Sequence, residues 1–287
     1  MTAPPVPPRK PRDDEIDAYG LTHIGKVRKE NQDHFLLAAI HKRIQVFATN
    51  LDADRLPPSE ERLATIAMVA DGVGGGEGGG EASATALEVA MQYLNHSVAT
   101  YYGADADEAG FADALQAAAM RSHEVIVARR AAEAVRGTMA TTLTMLMFVW
   151  PSYYLLQVGD SRYYRYRHGK LTQVTRDQTI AQRLVDEGVI PEAAAARSPF
   201  AHVLSSALGG DTALPVVTRL ELDWNTVHLL CSDGLTKHVT DARIAEVLGT
   251  MTSARGACEQ LLQEALDGGG SDNIAIIVGR GVRRDPS

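Results

Sequence analysis

Short apolar runs recur along the chain, separated by polar loops and longer amphipathic stretches. Two runs, Ile66-Ala67-Met68-Val69-Ala70 and Val227-His228-Leu229-Leu230-Cys231, lead into Asp-Gly: the first directly at Asp71-Gly72, the second after Ser232 at Asp233-Gly234. An apolar run of this length closed by a turn signal predicts a buried strand. The same reading predicts strands at 18–23, 34–39, 44–48, 141–149, 153–158, 163–167, 216–222, 226–231 and 274–278, with a turn at His168-Gly169. Helical spacing appears elsewhere. Leu87, Met91, Leu94 and Val98 share a face of a helix over 81–98, and Leu115, Ala118 and Val125 share a face over 111–130. Cys258, Leu261, Leu262 and Ala265 mark a helix over 254–266, and shorter helices are expected at 180–187 and 241–248.

This order lacks the steady strand-helix alternation of a parallel sheet. Clustered strands with segregated helices predict an α+β fold, with antiparallel sheets packed against helices. Residues 1–15, rich in proline and charge, are expected to be a disordered tail, and 283–287 a short C-terminal one. The segment 50–62, with Pro57-Pro58, reads as a loop. The stretch 177–210 reads as a small excursion from the sheet, because prolines, glycines and an alanine run replace the apolar runs. A single domain is expected over 16–282.

Composition narrows the function. The 287 residues are 45% hydrophobic, enough for a large core, and the formal net charge of −8 argues against a nucleic-acid or anionic-membrane surface. Two cysteines, Cys231 and Cys258, allow no disulfide framework or zinc motif, and both fall on predicted core faces. The apolar stretch around 143–154 contains Pro151 and is too short to span a bilayer, and the N-terminus has no signal-peptide core. A cytoplasmic monomer is expected.

The candidate chemistry lies at the strand ends. Asp71 and Asp233 close apolar runs, Asp160 follows the run 153–158 in Gly159-Asp160-Ser161, and Asp272 precedes the last run in Ser271-Asp272-Asn273. A lone Asp-Gly is usually only a turn. Four carboxylates abutting strands instead suggest one acidic cluster, which repels itself unless cations fill it. Oxygen-only donors favour Mg²⁺ or Mn²⁺, and two such ions about 3.5–4 Å apart suit in-line phosphoryl chemistry. The phosphate needs a cation of its own, for which Arg28 is the candidate because guanidinium grips phosphate bidentately. Gly74, Gly76 and Gly79 satisfy a dinucleotide-type glycine spacing, but a second long helix follows where that fold needs a strand. Asp52-Ala53-Asp54 faintly resembles the nucleophile loop of haloacid-dehalogenase-type phosphatases, yet lacks its threonine and reads as a solvated loop.

The ordered set Arg28-x-x-Asn31-Gln32-Asp33, Ala70-Asp71-Gly72-x-Gly74-Gly75 with Gly80-Glu81-Ala82-Ser83, Val158-Gly159-Asp160-Ser161-Arg162, Ser232-Asp233-Gly234-Leu235 and Ser271-Asp272-Asn273 closely resembles the metal-dependent protein phosphatases of the protein phosphatase 2C type. The bacterial Ser/Thr branch is the nearer match. The resemblance implies a four-layer αββα sandwich, with two antiparallel sheets flanked by helix pairs and a small flap at 177–210. It implies that Asp71 bridges two Mg²⁺ or Mn²⁺ ions, that the Gly72 carbonyl binds one, and that Asp233 and Asp272 bind the other. Asp160 with Asp233 would form a third site, Asp33 would act mainly through water, and Arg28 would hold the substrate phosphate.

The implied activity is hydrolysis of phosphoserine and phosphothreonine proteins by a metal-activated water, opposing a Ser/Thr kinase in bacterial signalling. The alternative is a catalytically weak regulatory or phosphoprotein-binding module. The chain departs from the family pattern in three places. Gln32 stands where many members carry Glu. Val73 replaces a histidine of eukaryotic members, and Lys237 stands where some members carry an extra carboxylate.

Overall fold

The computed structural model describes residues 9–49, 52, 55–56, 58–74, 78–101, 108–132 and 138–284. Strands β1 (Ile16–His23), β2 (Asp33–Arg43) and β3 (Glu60–Val73) come first, followed by the long helices α1 (Gly78–Tyr101) and α2 (Glu108–Ala132). Then come β4 (Ala140–Thr141), β5 (Leu143–Val149), β6 (Ser152–Val158), β7 (Arg162–Arg167) and β8 (Lys170–Gln173). The short helices α3 (Ile180–Asp186) and α4 (Glu192–Ala195) precede β9 (Val216–Glu221) and β10 (Val227–Cys231). The chain closes with α5 (Asp233–Thr236), α6 (Asp241–Thr250), α7 (Ala254–Asp267) and β11 (Ile274–Gly281).

Two antiparallel sheets form. One has the order β1-β11-β10-β7-β8, the other β2-β3-β5-β6-β9, with β4 paired to β3. Side chains alternate between two cores. On β3, Ile66, Met68 and Ala70 face Ala82, Ala86 and Leu94 of α1 and Leu115 and Ala118 of α2. Their neighbours Ala67 and Val69 face Leu230, Ala275 and Ile277 across the inter-sheet core. On β11, Ile274, Ile276 and Val278 meet Ile244 and Val247 of α6 and Cys258 and Leu261 of α7. The layers are therefore helix, sheet, sheet, helix. This arrangement explains the unbroken apolar runs: a strand covered on both faces has no solvent side to mark with polar residues. Burying each of the Ile, Leu, Val and Met side chains contributes about 1.5–3 kcal/mol.

One polar network sits inside the sandwich. Tyr153 Oη lies 2.8 Å from Tyr163 Oη, which lies 2.8 Å from His228 Nδ1. Burial lowers the His228 pKa to about 3, so the imidazole is neutral there. Helices α3, α6 and α7 start at Thr179, Thr240 and Ser253, whose hydroxyls accept from the backbone N–H of Gln182, Arg243 and Gly256.

Several expectations need correction. Residues 44–48 form no strand, because past Arg43 the β2–β3 ladder ends and Phe47 is 89% exposed. The expected loop 50–62 gives way to β3 at Glu60. Residues 9–15 are not a loose tail. Arg9 pairs with the buried Glu15, and the Trp224 indole donates to the Arg9 carbonyl at 3.0 Å. Nor are Arg283 and Arg284, since the first stacks over Trp224 and the second donates its backbone N–H to Glu15. Residues 1–8, 285–287 and Gly75-Gly76-Glu77 of the glycine-rich run lie outside the described residues. Among the described residues no helix is long and apolar enough to cross a membrane.

Candidate metal centre

All the sequence-selected acidic residues converge on one end of the sandwich. Asp71 lies near the end of β3 and is held through its backbone. Thr142 Oγ1 accepts from Asp71 N–H at 3.0 Å, while Thr142 N–H and Thr141 Oγ1 donate to the Asp71 carbonyl at 2.9 Å each. Gly72 follows in the strand and donates its N–H to the Gln32 carbonyl at 3.2 Å. A Cβ at Gly72 would stand 2.3 Å from the Gly79 carbonyl oxygen, so only glycine lets the start of α1 approach this strand.

Asp233 opens α5, straight after β10. Its predecessor Ser232 locks into β11, donating backbone N–H to the Ala275 carbonyl and accepting Ala275 N–H on Oγ at 2.9 Å. Ser232 Oγ also donates to Asp33 Oδ2 at 2.6 Å. Asp33 begins β2 and is only 2% exposed, so it sits behind the cavity wall rather than on it. Asp272 precedes β11, and Asn273 ties that turn to the Arg28 loop. The Asn273 side chain accepts from Gln32 N–H and donates to the carbonyls of Ile24 and Glu30, all within 2.9 Å. Asp160 occupies the β6–β7 turn after Gly159, whose φ of +98° suits glycine.

Asp71, Gly72, Asp160, Asp233 and Asp272 line one cavity of about 350 Å³, with Arg28, Gln32 and Lys237 on its wall. His202 and Leu204, from the segment between β8 and β9, close another side. The cavity is strongly acidic and partly desolvated. Burial, then repulsion from Asp33 and Asp233, raises the Asp71 pKa well above the carboxylate range. Burial likewise raises Asp160 to about 7, and raises Asp33 despite the hydrogen bond from Ser232. Asp272 behaves oppositely. Burial pulls it up, but hydrogen bonds from Arg28 and Lys237 outweigh that and hold it below its ordinary value.

Two basic side chains reach into this acidic set. Arg28 Nε stands 2.7 Å from Asp272 Oδ1, with the Arg28 side chain 54% exposed. Lys237 Nζ lies 2.7 Å from Asp233 and 2.6 Å from Asp272. In this arrangement no group of three or more His, Cys, Asp or Glu side chains among the described residues is gathered tightly enough to hold an ion as it stands. The donor chemistry nevertheless fits a hard cation. Oδ1 of Asp33 and Oδ1 of Asp233 are buried without a hydrogen-bond partner, and oxygen donors alone are what Mg²⁺ and Mn²⁺ take.

The sequence reading missed the supporting roles of Ser232, Asn273 and Thr142. The first two stand inside the motifs, yet their hydrogen bonds reach residues far along the chain, and no local pattern marks that. His34 and His238 bond to Ser83 and Ser271 at 2.8 and 2.9 Å, which gives both a structural place.

Residues 52–268 match the family model Protein phosphatase 2C, and the chain belongs to that family. It is 37% identical over 217 residues to the serine/threonine protein phosphatase PstP of Mycobacterium tuberculosis, a match covering 75% of this chain and 40% of that protein's length. The solved M. tuberculosis PstP/Ppp superposes with a TM-score of 0.72 at 29% identity, covering 93% of this chain and 99% of the other. The catalytic domain of PstP solved with two manganese ions matches at a TM-score of 0.70 and 29% identity, with the same coverage.

Proposed function

We propose that this chain is a metal-dependent phosphatase of phosphoserine and phosphothreonine proteins. The observation that carries the reading is the convergence of Asp71, Asp160, Asp233 and Asp272 on one cavity with Arg28 at its rim. The two manganese ions of the related PstP structure support the choice of cation. In this reading Asp71, the Gly72 carbonyl, Asp233 and Asp272 would together hold two ions. Asp160 and Asp233 offer a third position. Bound ions would supply an activated water and neutralise charge on the phosphoryl group.

The chain's own residues do the remaining work. Arg28, half exposed at the rim, grips the incoming phosphate and sets its orientation. Its partner Asp272 holds the guanidinium at the cavity wall through both carboxylate oxygens. Asp33, fixed by Ser232, presents its unpaired Oδ1 to order water behind the wall. Gln32 can hydrogen-bond a water but cannot take its proton, and Val73 offers no acid. The leaving group's proton would then come from water in the cavity. The domain spans 16–282, with 177–210 as a flap over the cavity. A cytoplasmic monomer opposing a Ser/Thr kinase completes the proposal.

The test is hydrolysis of a phosphothreonine peptide by the chelator-stripped chain with and without Mn²⁺. Turnover should need Mn²⁺ and collapse in Asp233→Asn. Undiminished turnover in that variant would sink the mechanism.

A further inference from the structure

Lys237 places a positive charge where the metal reading places an ion. It lies four residues after Asp233, and the single turn of α5, closed by Lys237 N–H to the Asp233 carbonyl at 2.9 Å, carries its side chain back over the cluster. Its Nζ bonds Asp233 Oδ2 at 2.7 Å and Asp272 Oδ2 at 2.6 Å. The side chain is only 24% exposed. These two carboxylates flank the neighbouring strands β10 and β11, and one ammonium spans them. Arg28 reaches both oxygens of Asp272 and the Asn273 N–H takes Oδ1, so both of its oxygens already have donors. Exposed pairs of this spacing on a helix contribute little. Here the ammonium is partly desolvated, serves two carboxylates, and faces a cluster whose remaining members repel each other.

An ammonium at this distance competes with a divalent ion for these carboxylates, because two cations within a few ångströms repel each other. We infer that Lys237 is a built-in counter-cation. It holds Asp233 and Asp272 together while no metal spans them, and a divalent ion binding there works against its charge. The metal-free fold is thereby spared part of its self-repulsion, and the affinity of the Asp233–Asp272 position is set lower than the carboxylates alone would give. Metal loading then depends on the divalent-ion concentration around the protein. The inference rests on the phosphatase reading for the identity of the ion.

The experiment uses the full chain stripped with chelator, as wild type, Lys237→Gln and Lys237→Arg. Mn²⁺ binding is followed by calorimetry and the melting temperature is measured with and without Mn²⁺. Lys237→Gln should tighten the weaker Mn²⁺ event by about tenfold or more, as expected from removing one nearby like charge. It should also melt earlier than wild type when metal-free and gain more from saturating Mn²⁺. Lys237→Arg, which keeps the charge, should bind Mn²⁺ as weakly as wild type. If Lys237→Gln folds only with metal, its affinity is read by competition with a chelator of known strength.

Equal Mn²⁺ affinity in wild type and Lys237→Gln overturns the inference while leaving the phosphatase reading intact. So does weaker binding in Lys237→Gln, which would make the lysine a positioning group for its carboxylates. Absence of Mn²⁺ binding in all three chains overturns both readings.

Discussion

Asp33 and Asp71 stand directly opposite each other in the antiparallel β2–β3 ladder. Like charges in that relationship destabilise a sheet. Here both are also buried, and Asp233 adds to the repulsion on each. The strands thus hold two carboxylates together at a cost to the metal-free fold, as is usual where stability is traded for function.

Replacing one of the pair should relieve that cost. Asp33→Asn keeps an acceptor for the Ser232 hydroxyl and removes a charge. The chelator-stripped variant should be more stable than wild type by about 1–3 kcal/mol at neutral pH. Urea denaturation measures this, and phosphopeptide turnover by the same variant should fall. A metal-free variant less stable than wild type would show that Asp33 is held by favourable contacts rather than forced on its neighbour.

The same cluster sets a pH dependence. Burial raises Asp33 and Asp160 from 3.8 to about 7. Between those values the unfolded chain has released protons that the folded chain still holds. Stability of the metal-free protein therefore falls as pH rises from about 4 to about 7, and the loss is complete above that range. Melting curves from pH 5 to 8 should show this decline in chelator and a much flatter profile in saturating Mn²⁺. Parallel profiles would mean that the ion does not act on these carboxylates.

Backbone proximity is as important as charge. A Cβ on Gly234 would lie 1.9 Å from the Asn273 carbonyl oxygen. Glycine at that position lets α5 sit against the turn before β11, and so brings Asp233 near Asp272. Gly234→Ala should destabilise the chain by about 2–4 kcal/mol and weaken Mn²⁺ binding as well. Thermal unfolding and calorimetry on the same sample test both, and wild-type behaviour in each would refute the packing argument.

The sequence shows the strand ends clearly because each joins an unbroken apolar run to an ionisable residue, a junction that solvent exposure alone would not produce. Asp71, Asp160, Asp233 and Asp272 were legible for that reason, and the structure brings them to one cavity. Strand β8 was not, since Lys170–Gln173 is a short polar edge with no run to mark it. Helix α5 was hidden within what reads as a turn. The pattern at 44–48 is strand-like, but no partner strand meets it. The charged residues of 9–15 read as disordered because they are anchored by Trp224 and Arg62, contacts that no local window contains. Ser232 and Asn273 stood in the motifs, yet their roles are tertiary hydrogen bonds across strands.

Metal stoichiometry decides the central question most directly. Calorimetric titration of the chelator-stripped chain with Mn²⁺ should give two ions per chain under tight-binding conditions, and Asp71→Asn should lose both tight events because one carboxylate serves both positions. A wild-type chain that binds no Mn²⁺, or an Asp71→Asn chain that binds it as wild type does, would contradict a centre built on Asp71.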